Sequence, residues 1–180
     1  MSMSGLVFLR AAATLASFDS VDGPYRFAVT ERKAGRAPEL EDAEVLEWIG
    51  RFIGRLHVVG GTGRFEHRLT LTPASLGTEP RDWLIANDVP PPDALPAWRA
   101  MVDAALERVQ TAFEAAAPIR TLRLHGDCHL GNILWTAAGP HFVDLDDTLT
   151  GPAVQDLWML LSGERSERAK QLRAVLDGYE

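Results

Sequence analysis

Thiol chemistry in this chain is limited to one residue, Cys128, so no internal disulfide can form and a reducing, cytoplasmic setting is expected. Lysine is nearly as scarce, with only Lys33 and Lys170. Acidic residues outnumber basic ones, 25 to 18, and a net charge of -7 argues against a general nucleic-acid surface. The opening MSMSGLVFLRAAATLASF lacks a basic leader and is broken by Arg10, so it does not read as a signal peptide. No stretch approaches the roughly 20 apolar residues of a membrane helix, so no membrane partner is expected. Gly60, Gly61, Thr62 and Gly63 lack the spacing and the preceding strand of a phosphate loop; they read as a helix C-cap and loop. There is no internal repeat or low-complexity tract.

With 46% hydrophobic residues over 180 positions, the chain can bury one substantial core, as a single domain or a large part of one. Val45, Leu46, Ile49, Phe52, Ile53 and Leu56 recur at three and four, which predicts a helix over 40–57 with His57 as a packed or capping residue at its end. Trp98, Met101, Val102, Ala105, Leu106, Val109 and Phe113 predict a second long helix with a core stripe, capped by Asp93. Residues 152–161 and 166–179 read as two more, with Gly163 as a stop between them. Two short strands, 15–18 and 26–30, are expected around the turn signal Asp22, Gly23, Pro24. Residues 64–92, punctuated by Pro73, Pro80, Pro90, Pro91 and Pro92, read as irregular, with Trp83 as a packing anchor.

The chemistry concentrates in HGDCHLGN, His125 to Asn132, and FVDLDD, Phe142 to Asp147. Phosphoryl transfer needs a carboxylate beside the acceptor hydroxyl and oxygen ligands on a cation that neutralises the phosphate charge. Asp127 suits the first role, because it follows the strand-like Thr121, Leu122 and Leu124, and Gly126 permits a tight loop. Asn132 lies five residues on, the spacing of a kinase catalytic loop, and its side-chain oxygen can bind a hard cation without adding charge. Ile133 to Val143 reads as a hairpin that returns Asp144 towards Asn132. Strand alternation would put Asp144 and Asp146 on one face, with Asp144 the first choice of metal ligand and Asp146 the second. His125 and His129 read as scaffold of the loop, with metal or substrate contact left open, and Cys128 as a filler.

FVDLDDTLT also resembles the nucleophile motif of haloacid dehalogenase-type phosphatases, in which Asp144 would attack phosphorus and Asp146 would be the acid. That reading leaves HGDCHLGN unexplained, and Lys170 with a short acidic tail is all that follows to complete such a site. HGDxHxxN, an apolar hairpin and the following carboxylates instead resemble the aminoglycoside phosphotransferase and choline kinase superfamily, relatives of the protein kinases. More narrowly, LRLHGDCHLGNILW, GPHFVDLDD and GPAVQDLWMLLSG resemble the bacterial stress response kinase A family of serine/threonine kinases.

The resemblance implies an α+β, protein kinase-like fold: a remnant of the small lobe and hinge over 1–30, and an incomplete, mainly helical large lobe with a catalytic-loop hairpin over 31–180. It implies Asp127 as catalytic base, Asn132 and Asp144 holding Mg2+ and ATP, Asp146 as a further metal ligand, and Asp156 anchoring the catalytic loop backbone. Backbone groups of Phe27, Ala28 and Val29 would meet adenine. The implied acceptor is a protein serine or threonine, with a small alcohol as the alternative. The Gly-rich loop and the strand lysine held by a glutamate are missing before the hinge, and neither Lys33 nor Lys170 can be carried over to that role. A kinase fragment that binds without turnover is therefore the reading of a different class.

Overall fold

The computed structural model describes residues 16–27 and 32–180. Expectations for the segment before Ala16, and for Ala28, Val29 and Thr30, lie outside the described residues. The chain divides into two units, Met1–Ala34 and Gly35–Glu180.

In the first unit, β1 (Ala16–Ser20) and β2 (Gly23–Phe27) form an antiparallel hairpin, with Ala16 opposite Phe27 and Ser20 opposite Gly23. The turn is Val21–Asp22, earlier than the Asp-Gly-Pro signal suggested. Ser20 closes it locally, its Oγ donating to the Gly23 carbonyl at 3.1 Å and accepting from Asp22 N–H at 3.1 Å, so Gly23 and Pro24 already belong to the strand.

The second unit is built on α1 (Ala43–Gly60), whose N-cap Asp42 accepts from Glu44 N–H at 2.9 Å. Its buried stripe of Val45, Leu46, Ile49, Ile53 and His57 joins α5 (Arg165–Tyr179), which opens with a capping box between Glu164 and Glu167. A Cβ on Gly50 would collide with the Val175 carbonyl, and one on Gly178 with the Glu47 carbonyl, so the two helices meet backbone to backbone. The core around this pair includes Leu157, Leu160 and Val175, and also Cys128 and Ile133 from the HGDCHLGN loop and the strand after it. Burying Ile49 or Ile53 contributes roughly 1.5–3 kcal/mol each.

Five short elements complete the frame of the loop. β3 (Leu122–Leu124) pairs antiparallel with β6 (Leu149–Gly151), Leu124 lying opposite Leu149. β4 (Ile133–Thr136) and β5 (Gly139–Phe142) form the hairpin, and α4 (Gln155–Trp158) is a single turn rather than the ten-residue helix the sequence suggested, because its flanks close in three-residue turns such as Gln155 N–H to Pro152 O at 3.0 Å.

Four expectations are corrected between Arg64 and Ala115. Residues 74–86 are helical, a π-helical turn (Ala74–Thr78) leading into α2 (Glu79–Ala86), since Pro80 sits in the first turn where its missing N–H costs nothing. Trp83 on α2 is 61% exposed, not the buried packing anchor expected. The helix α3 (Leu95–Ala115) has Ala94, not Asp93, at its N-cap and no side-chain cap bond. None of its residues is buried and Met101 is 73% exposed, so its apolar stripe is not core. Periodicity shows that a helix has an apolar face; burial depends on what covers that face. Among the described residues no helix is long and apolar enough to cross a membrane.

Candidate active site

The loop begins where β3 ends. Asp156, in α4, is 0% exposed and accepts His125 N–H on Oδ2 at 2.8 Å and Gly126 N–H on Oδ1 at 2.8 Å. His57 Nε2 lies 2.9 Å from the same Oδ2, and its Nδ1 lies 2.9 Å from the Tyr179 hydroxyl. A carboxylate only accepts, so His57 carries its proton on Nε2. One buried acid thus joins α1, α4, α5 and the loop. Gly126 holds φ +89°, and a Cβ there would strike the Asp147 carbonyl, so both conformation and space require glycine.

Asp127 follows, partly buried. Asn132 Nδ2 donates to its carbonyl at 2.9 Å and to its Oδ2 at 3.1 Å, and His129 N–H donates to the same carbonyl at 3.0 Å. Gly131 N–H donates to His129 Nδ1 at 2.9 Å, which leaves the ring N–H on Nε2, 3.4 Å from Asp127 Oδ2. Among the described residues no hydrogen bond occupies Asp127 Oδ1 or Asn132 Oδ1. Burial, with the negative charges of Asp156 and Asp127 added, pushes the Cys128 thiol well above its ordinary value, the opposite of a nucleophile's environment.

Val143 ties the second motif to the first. Its N–H donates to the Asn132 carbonyl at 3.0 Å, and its own carbonyl accepts from His125 Nε2 at 2.8 Å. His125 is buried, packs edge-on to Phe142, and its Nδ1 has no partner among the described residues. The residue after Val143 is Asp144, exposed and in the left-handed region at φ 60°, which Asp tolerates better than most residues. Because β5 ends at Phe142, strand alternation does not extend to Asp144 and Asp146; Asp146 stands in a turn, its carbonyl accepting from Arg68 Nη1. Among the described residues no three His, Cys, Asp or Glu side chains form a metal-binding group. An amide oxygen on Asn132 with carboxylates on Asp144 and Asp146 is an all-oxygen donor set, the kind hard divalent cations take. Of the adenine-contact expectation, Phe27 ends β2 in the first unit, and Ala28 and Val29 fall outside the described residues.

Sequence alone gives His57 only a packed or capping role; its partner Asp156, 99 residues away, gives it its place. Local pattern gives Gln155 no role, yet its Nε2 donates to the Gly126 carbonyl at 2.9 Å. Its position directly before Asp156 was the available signal.

The chain is similar to known proteins in sequence and, separately, to solved structures in fold. The chain is 40% identical over 156 residues to the serine/threonine protein kinase RdoA of Salmonella typhimurium and to stress response kinase A of Escherichia coli K12, covering 87% of this chain and 47% of each relative. It therefore spans about half the length of the curated relatives it matches. Among solved structures, the amicoumacin kinase hAmiN in complex with AMP-PNP, Ca2+ and Ami superposes with a TM-score of 0.65 at 16% identity, over 92% of this chain and 52% of that one. The AMP-bound spectinomycin phosphotransferase APH(9)-Ia superposes with a TM-score of 0.50 at 16% identity, over 88% and 56%. The fold is accordingly α+β and protein kinase-like. A family model described as phosphotransferase enzyme family matches residues 4–180, and the chain belongs to that family.

Proposed function

We propose that this chain carries the catalytic half of an ATP-dependent phosphotransferase whose acceptor is a hydroxyl, most simply a protein serine or threonine. The observation that carries the reading is the division of labour in Asn132: its amide N–H groups hold Asp127, while its oxygen remains for a cation. In this reading Asp127 Oδ1 takes the proton from the acceptor hydroxyl as the hydroxyl oxygen bonds to the γ-phosphorus and ADP departs. Asn132 and Asp144, with Asp146, would hold Mg2+, which supplies charge neutralisation on the phosphates when bound. Asn132 Nδ2 occupies Asp127 Oδ2, with His129 Nε2 3.4 Å away on the same side, which leaves Oδ1 for the acceptor.

The relatives named as serine/threonine or stress response kinases support the protein acceptor. A small-molecule alcohol is the second reading, favoured by the solved amicoumacin kinase of the same fold. Calorimetric titration of the purified chain with MgATP, against Asp144→Ala, tests the site. Metal-dependent binding lost in the variant is the expected result. A folded sample that binds no MgATP would refute active phosphotransfer by this chain and leave an inherited, idle loop.

A further inference from the structure

We propose that Gln155 is a positioning residue for Asp127 and that Trp158 orients it; the catalytic purpose of this device rests on the phosphotransferase reading above. Four successive peptide units of the loop are each held by a side chain or backbone donor or acceptor. Asp156 holds two of them, through the N–H groups of His125 and Gly126. The carbonyl of Asp127 is held by Asn132 Nδ2 and His129 N–H. Between them lies the peptide joining Gly126 to Asp127, and Gln155 Nε2 donates to its carbonyl oxygen at 2.9 Å. A peptide unit is planar and rigid, so fixing its carbonyl fixes the N–H and Cα of Asp127 on the other side. Of the four successive units these bonds hold, this one and the next adjoin the Cα that carries the Asp127 carboxylate, and a glycine at φ +89° gives this one little restraint of its own.

A glutamine amide can face either way, and only one orientation presents a donor to a carbonyl. Trp158 Nε1, which can only donate, lies 3.3 Å from Gln155 Oε1 on the same turn of α4. That contact selects the orientation in which Nε2 faces Gly126. The half-buried amide is thus set from its exposed side by an indole three residues on. Asp156 cannot substitute, because both its oxygens already face N–H donors and a carboxylate has nothing to donate to a carbonyl.

The test uses the full chain with Gln155→Met, which keeps length and volume but lacks the donor, Gln155→Glu, which places an acceptor against the carbonyl, and Trp158→Phe, an exposed change that keeps the ring. Two readouts are taken: the NMR shift of the Gly126 carbonyl carbon with hydrogen exchange at the Asp127 amide, in the unliganded protein, and MgATP affinity with the turnover of ATP hydrolysis. In both Gln155 variants the carbonyl shift should move and the Asp127 amide should exchange at least about tenfold faster, with α5 amides unchanged; Trp158→Phe should fall between these and wild type. ATP affinity should hold while turnover falls roughly five- to tenfold, the effect of one lost hydrogen bond on a catalytic group. An unmoved Gly126 carbonyl in Gln155→Met, or in Trp158→Phe if the Gln155 variants fail to fold, overturns the assignment even if ATP binds normally. A moved carbonyl in a chain that binds no MgATP overturns instead the phosphotransferase reading and the catalytic purpose given to Gln155.

Discussion

Replacing Asp156 by Asn changes one atom and should cost the protein a large part of its stability. The carboxylate accepts three N–H donors, from His125, Gly126 and His57, in a site with no solvent access. An Asn has one acceptor oxygen. Its best placement is at Oδ2, where two donors converge, which turns its amino group on Gly126 N–H and sets donor against donor. The loss is one hydrogen bond to a charged acceptor, about 1.5–3 kcal/mol, with a further penalty of about 1–3 kcal/mol for a buried donor left unsatisfied. The remaining two bonds weaken as the charge disappears, so a total of roughly 3–5 kcal/mol is expected, against the 5–15 kcal/mol typical of a whole domain. Urea unfolding followed by tryptophan fluorescence should show the midpoint falling by roughly 1–3 M with the slope unchanged. A midpoint within about 0.5 M of wild type would refute the claim that all three donors depend on this carboxylate.

Two further outcomes follow from the same loop. Gly126→Ala adds a methyl group against the Asp147 carbonyl at a positive φ, and should destabilise by about 3 kcal/mol or more in the same urea experiment. The Cys128 thiol, held protonated by burial, should resist alkylation at neutral pH until the protein unfolds; because its folded value lies above its unfolded one, the stability it contributes is complete below pH 9 and is lost as pH rises beyond that, which Cys128→Ala should diminish in alkaline unfolding curves.

What could be read from the sequence was what depends on neighbours along the chain. The α1 stripe and the Ile133–Phe142 hairpin each carry a period and a turn that need no distant partner, and the predicted helix over 40–57 differs from the observed Ala43–Gly60 only at its ends. Strand β6 has three residues and exists because Leu149 meets Leu124 across 25 positions, which no local pattern encodes. Strand alternation stopped short of Asp144 because its backbone turns left-handed there. The α3 stripe predicted a helix correctly and its burial wrongly, since the second property belongs to the surroundings. In the candidate site, HGDCHLGN displayed the groups proposed to react. The residues that aim them, His57 and Gln155, are ordinary polar side chains whose partners are chosen by the fold.

At most helix crossings, side chains lie between the two backbones and act as compliant padding, taking up small displacements by changing rotamer. Gly50 and Gly178 remove that padding where α1 crosses α5. α5 therefore bears on α1 with no side chain between them at these two points, and α1 carries His57, which contacts Asp156 and through it the loop before Asp127. The outer helix and the carboxylate proposed as the base are linked in series, although no residue of α5 belongs to the proposed reacting set.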